Sequence, residues 1–265
     1  MIKGIDAHIH LDMYDQSRSL AMLNEMPENN VLALVAVSRN MASCIATKQL
    51  RDHAPDRVFA AYGYHPEQEL PSETQLNELL NWICAHAEQM AAIGEIGLPY
   101  YMRQEAEERG QTFDLAPYIS LLDCLLGLAA KLKKPVVLHA VYEDADIVCD
   151  LLSKYEIHNA HFHWFKGSQK TVERMIRAGY YISITPDVLY EEEIQSLVRS
   201  YPIEQIMVET DGPWPFEGPF EGQETNPIMI HAVIEQIACL KSIPIDEVAL
   251  SLLQNTRKFY SIVND

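Results

Sequence analysis

Apolar and polar positions follow two periods along this chain. Runs that are apolar almost throughout occur at residues 4–9, 31–37, 58–64, 91–98, 135–140, 160–165, 180–184 and 206–210, and each has the length of a strand. Between them apolar residues recur at helical spacing. Residues 72–87 set Leu76, Leu79, Leu80, Ile83 and Ala87 on one face, behind Ser72 and Gln75 spaced as a capping box. Residues 168–179 open on a capping Ser168, repeat Val172, Met175 and Ile176, and stop at Gly179. Helical stretches also fill roughly residues 115–132 and 227–240, and "IDEVALSLLQNTRKFYSIV" reads as a last helix.

Strands that are apolar on both faces are those that helices cover. Eight of them alternating with helices over 265 residues predict an α/β fold, a (β/α)8 TIM barrel, as a single domain over residues 1–265. A doubly wound open sheet is the alternative. It is weakened because no G-x-G-x-x-G or G-x-x-x-x-G-K-[ST] follows a strand. The stretch "DGPWPFEGPFEGQETNP", residues 211–227, follows the last strand and reads as a long active-site loop.

Composition narrows the class. Apolar residues make up 48%, which excludes a disordered chain, and no run reaches the length of a membrane span. The N-terminal "MIKGIDAHIH" lacks the pattern of a signal peptide. The five cysteines are widely spaced with no C-x-x-C, so reduced thiols in core positions and a cytoplasmic location are expected. A net charge of −18 repels polyanions at long range. No membrane and no obligatory protein partner are expected.

In such a barrel the chemistry sits at the C-terminal ends of the strands. "DAHIH" places Asp6, His8 and His10 in one same-face row, with Ile5, Ala7, Ile9 and Leu11 on the other face. His65 follows the third strand, Glu95 lies on the fourth, and His139 ends the fifth. His161 and His163 lie on the sixth, and Glu209 and Asp211 on the eighth. Of ten histidines only His53, His86, His158 and His231 lie elsewhere. Any one of these is most simply a hydrogen-bonded core or surface residue. Together, without lysine or arginine to neutralise the acids, they are the donor set of divalent cations. His8, His10 and Asp211 make one set, His139 and His163 another, and Glu95 lies between them. That predicts two ions (Zn, Mn or Mg) and a hydroxide nucleophile in place of serine or cysteine. His161 lies deeper than His163 and reads as a supporting residue. Glu209 stands in the same relation to Asp211, orienting a ligand or relaying a proton.

The stretches "DAHIHLD", "GYHPE", "GEIGL", "PVVLHA", "HWFKG", "ETDGP" and "NTRKFY", in this order, resemble the TatD family of metal-dependent hydrolases. The resemblance implies a barrel with one to three divalent metals on His8, His10, Glu95, His139, His163 and Asp211. It also marks His65 as a site residue and implies a deoxyribonuclease activity. Catalytic roles are accordingly expected for Glu95, Asp211, His65 and Glu209. Three positions depart from the family pattern. Pro99 replaces Asp in "GLDYY", Val141 replaces the Arg after the strand-five histidine, and Lys166 replaces the Ser of "HCFSG". Lys166 is the expected substitute cation for a phosphate, whereas Arg39 and Arg103 read as solvated surface charges. The expected function is a TatD-like phosphodiesterase or deoxyribonuclease acting on nucleic acid or a small molecule. The alternatives are a hydrolase of a small phosphoester, lactone or cyclic amide, and a catalytically silent metal-binding protein.

Overall fold

All eight apolar runs contain strands in the computed structural model, which describes residues 2–263. The strands β1 (Gly4–Ile9), β2 (Val31–Val37), β3 (Val58–Tyr62), β4 (Ala92–Gly97), β5 (Val136–His139), β6 (Ala160–Phe162), β7 (Tyr181–Ile184) and β8 (Ile206–Val208) run parallel in that order. Helices α1 (Gln16–Glu25), α2 (Met41–His53), α3 (Glu73–Ala85), α4 (Tyr100–Glu108) and α5 (Ala116–Leu132) belong to the first half. The second half carries α6 (Asp144–Lys154), α7 (Gln169–Ala178), α8 (Glu192–Ser200), α9 (Ile230–Lys241) and α10 (Ile245–Tyr260).

The β1–β8 seam closes the barrel by other means than a regular ladder. Asp211 N–H donates to the His8 carbonyl at 2.9 Å, and His10 N–H to that of Gly212 at 2.8 Å. Below them the Asp6 carboxylate accepts from Thr210 N–H at 3.0 Å and from its hydroxyl at 2.5 Å. The seam thereby ties the H-x-H segment directly to the segment carrying Asp211.

Helix signals hold locally. Ser72 and Gln75 form the reciprocal capping box at the start of α3, Ser168 caps α7, and Gly179 ends α7 in the left-handed region at φ 77°. Ala87 falls outside α3, in a short 3-10 turn, so it is not part of that helix's face. Helix α4 buries none of its residues, so it carries no apolar stripe.

The expected row of Asp6, His8 and His10 is interrupted. A register irregularity lies between Asp6 and Ile9. Ile5 and Ala7 pack with Val35, Val37, Val137 and Met207, whereas Ile9 and Leu11 join a second cluster built largely of helix-facing residues. Asp6 consequently turns to Thr210 at the seam, while His8 and His10 reach the rim. The cysteines divide as well. Cys44 and Cys149 are buried, but Cys84, Cys124 and Cys239 are exposed, because helical position alone does not place a residue on the inward face. All five are free thiols. No single helix among the described residues is long and apolar enough to cross a membrane.

Candidate metal centre

The predicted site residues sit at or just past strand ends. Three strands stop two or more residues short of the apolar runs, at Tyr62, Phe162 and Val208. The chain beyond them leaves the ladder and carries His65, His163 and Asp211 inward. Gly97 lets β4 lie against β5, since a Cβ there would fall 1.9 Å from the His139 carbonyl oxygen. Gly63 serves the same purpose after β3, where a Cβ would lie 2.7 Å from the Glu95 carbonyl oxygen.

Glu95 is the centre of the arrangement, and its side chain is fully buried. Its two oxygens face different partners. Oε2 lies 3.2 Å from His8 Nε2 and 3.2 Å from His10 Nε2. Asp211 Oδ1 completes that group, 3.2 Å from His8 Nε2 and 3.6 Å from His10 Nε2. Oε1 lies 2.8 Å from His163 Nε2 and 3.1 Å from His139 Nδ1. Those two nitrogens are 3.2 Å apart. Both Glu95 oxygens, both His8 nitrogens and Asp211 Oδ1 are buried without a hydrogen bond of acceptable geometry. Such atoms are costly unless something else satisfies them. Converging imidazole nitrogens and carboxylate oxygens fit divalent cations chemically, so the residues present suit the group.

Electrostatics follow from this crowding. Burial raises the Glu95 carboxyl, but the surrounding His163, His65 and His8 outweigh it and hold the pKa well below the usual range. Burial raises Asp211 too, and His8 and His163 bring it down. Burial and the neighbouring His163 lower His8, yet Glu95 and Asp211 reverse this and lift it to about 9. His139 and His163 are raised in the same way, against burial, by Glu67 and Glu95 for the first and by Glu95 and Glu209 for the second.

His65 differs from the others. Its Nδ1 accepts the Glu67 N–H at 3.1 Å, so the ring proton resides on Nε2, 3.2 Å from Glu95 Oε1. It therefore presents an N–H to the cluster. Burial pushes its pKa down.

Two supporting groups lie around the donors. His161 is fully partnered, with Tyr260 Oη 2.6 Å from Nδ1 and Ser183 Oγ 2.5 Å from Nε2. Glu209 accepts from the Ser183 hydroxyl at 2.5 Å and from Trp164 N–H at 2.8 Å, and stands 3.7 Å from His163 Nδ1. Both lie below the cluster around Glu95, at the depth their positions in the strands suggested. Glu67 went unweighed in the sequence, although "GYHPE" contains it. Its carboxylate accepts the N–H groups of Tyr101 and Met102 at 2.8 Å each, at the start of α4, and lies 3.2 Å from His139 Nε2. That contact turns His139 Nδ1 toward Glu95.

A cavity of about 710 Å³ opens onto the cluster, lined by His10, His65, His139, His163 and Asp211 together with Tyr101, Trp164 and Trp214. Arg39 lines it too, and its Nε is buried without a hydrogen bond, so the reading of Arg39 as a solvated charge is corrected. Arg103 is also no solvated charge. It pairs with the buried Asp144 at 2.7 Å and with Glu143 at 2.8 Å, which ties α4 to α6. Lys166 is absent from the cavity lining, and its Nζ lies 6.0 Å from the Trp164 ring centroid.

The family model described as TatD related DNase matches residues 5–261. An uncharacterised metal-dependent hydrolase of Haemophilus influenzae is 35% identical over 97% of this chain and 99% of its own length. Human deoxyribonuclease TATDN3 is 30% identical over 97% of this chain and 94% of its own. The crystal structure of YjjV, a TatD homologue from Escherichia coli, superposes with a TM-score of 0.86 at 25% identity, covering 98% of each chain.

Proposed function

The chain belongs to the TatD-related DNase family of metal-dependent hydrolases, and from that premise we propose that it is a phosphodiesterase of the deoxyribonuclease type working with two divalent ions. The observation that carries this reading is the division of Glu95, with Oε2 toward His8 and His10 and Oε1 toward His139 and His163. His8, His10 and Asp211 would hold one ion, His139 and His163 the other, and Glu95 would bridge them. Bound ions supply Lewis acidity to a phosphoryl oxygen and to the attacking water.

The remaining work falls to the chain's own side chains. Asp211 keeps 10% exposure to the cavity and is placed to accept the proton of the water. His65 directs its Nε2–H into the site and can donate a hydrogen bond to a substrate oxygen as charge builds there. Glu209 holds His163 from behind and fixes the Trp164 amide. Glu67 holds the His139 tautomer that points Nδ1 inward. Arg39 takes the role of the phosphate cation that Lys166 was expected to fill. The five free thiols suit a reducing, cytoplasmic setting.

A small phosphoester is the second reading, favoured by a cavity lining in which Arg39 is, besides histidines, the cationic side chain among Glu67, Glu105 and Asp211. Incubation of the protein with Mn, Mg or Zn ions, single-stranded DNA and bis(p-nitrophenyl) phosphate tests both readings. Hydrolysis that a chelator abolishes supports the chemistry, and the preferred substrate separates the two readings. Hydrolysis indifferent to chelation would overturn the two-ion mechanism.

A further inference from the structure

The cavity is more aromatic than the hydrolysis of a phosphate requires. Among the described residues, Tyr101 and Trp214 are the exposed large apolar side chains that are aromatic, at 48% and 58% exposure, and both line this cavity. Exposed apolar surface concentrated beside convergent polar groups marks a ligand site.

Trp164 is built into place. It follows His163 with φ 38°, a left-handed conformation unusual for a bulky residue. Two buried carboxylates hold it there. Glu209 accepts its amide N–H at 2.8 Å, and Asp187 accepts its indole N–H at 2.6 Å. Asp187 is in turn held by the Thr185 hydroxyl. Trp214 is tied as well, its N–H donating to the Asp211 carbonyl at 3.1 Å and its own carbonyl accepting from the Thr225 hydroxyl. The two indoles meet edge to face, with centroids 5.9 Å apart and planes at 74°. Phe216 packs on Trp164 at 5.6 Å. The result is an L-shaped aromatic corner fixed to the segments that carry His163 and Asp211.

Charge limits what can lie against it. Besides histidines, Arg39 is the cationic side chain of the lining, against Glu67, Glu105 and Asp211. A strand with a negative charge at every nucleotide gains little beyond its first phosphate in such surroundings. We infer that this cavity is a two-part subsite, in which Arg39 takes one anionic phosphate oxygen and the Trp164–Trp214 corner takes a planar aromatic group carried by that phosphate. The inference rests on the phosphoester reading above and names its substrate class, an aryl or nucleoside phosphoester presented at an end. A terminal nucleotide and a small aryl phosphate share this chemistry.

The test uses the metal-loaded protein and three probes, phenyl phosphate, methyl phosphate and thymidine 5′-monophosphate, measured by calorimetric binding. Phenyl phosphate is expected to bind about tenfold more tightly than methyl phosphate, the scale of one stacked ring. Trp214→Ala should collapse that ratio toward one, Trp214→Phe should keep most of it, and metal content should stay unchanged in both. Arg39→Ala should weaken both phosphates by a similar factor and leave their ratio intact. A thymidine 5′-monophosphate preference that also disappears in Trp214→Ala assigns the corner to nucleotides. A preference confined to phenyl phosphate assigns it to small aryl esters. A ratio near one in the native protein, or a ratio unchanged by Trp214→Ala, would overturn the inference while leaving the phosphoester reading in place. Failure of every phosphate to bind would overturn both.

Discussion

Two polar layers lie one above the other inside this barrel, on some of the same strands. The deep layer contains His161, Ser183, Glu209 and Tyr260, and its hydrogen bonds form a continuous chain from α10 to the Trp164 amide. The upper layer contains His8, His10, Glu95, His163 and Asp211. There, buried nitrogens and oxygens approach to 2.8–3.6 Å without completing hydrogen bonds. Both layers are removed from water, so burial alone does not distinguish them. The difference is partnership. Groups in the deep layer satisfy one another, which fixes geometry. Groups in the upper layer converge without satisfying one another, an arrangement that suits a divalent cation.

The comparison is broken most severely by emptying the upper layer. His8→Ala should reduce metal-dependent hydrolysis by more than about 100-fold, beyond what loss of a supporting residue costs. Steady-state kinetics at saturating metal would show it, and circular dichroism should find the barrel unchanged. Glu67→Gln is expected to act one step out. It weakens the contact that orients His139, so metal affinity should fall by about 10–100-fold, read by competition with a chromophoric chelator. A Glu67→Gln protein that binds metal as well as the native one would remove Glu67 from the account.

The deep layer should respond differently. Ser183→Ala removes a partner from both His161 and Glu209, and is expected to cost about 1–3 kcal/mol of stability. The same loss should appear with metal and with chelator in denaturant unfolding, because these groups serve the fold in either state. A loss seen only with metal would erase the distinction between the layers.

The pH dependence sharpens the contrast with a smaller effect. In the metal-free protein the folded pKa of His8 is about 9 against an ordinary 6.5, and those of His139 and His163 are also raised. Their contribution to metal-free stability is complete below about 6.5 and disappears as pH rises through about 9. Metal binding needs the same nitrogens deprotonated, so metal affinity climbs across that window. The rise in Tm on adding metal should therefore grow between about pH 6.5 and about 9.

Much of this was legible in the sequence because periodicity and spacing are local. The eight apolar runs marked the barrel strands, and the polar residues at their ends marked the side chains that cluster around Glu95. What was not legible depends on contacts between distant segments. The row beginning at Asp6 fails because the irregularity in β1 and the seam to Thr210 belong to the pairing of the first and last strands. Arg39 and Arg103 could not be ranked, since one lines the cavity and the other answers a buried Asp144 supplied by α6. Glu67 was hidden because its partners, Tyr101 and Met102, lie 34 and 35 residues away.

The central claim is that Glu95 joins two donor sets into one two-ion centre, and counting bound metal tests it most directly. Elemental analysis after equilibration with Zn or Mn and removal of excess ions should find two per native chain. Glu95→Ala should lose both ions, or retain a single weakly held one, with its circular dichroism intact. Full occupancy in that variant, or no retained ions in the native protein, would contradict the account.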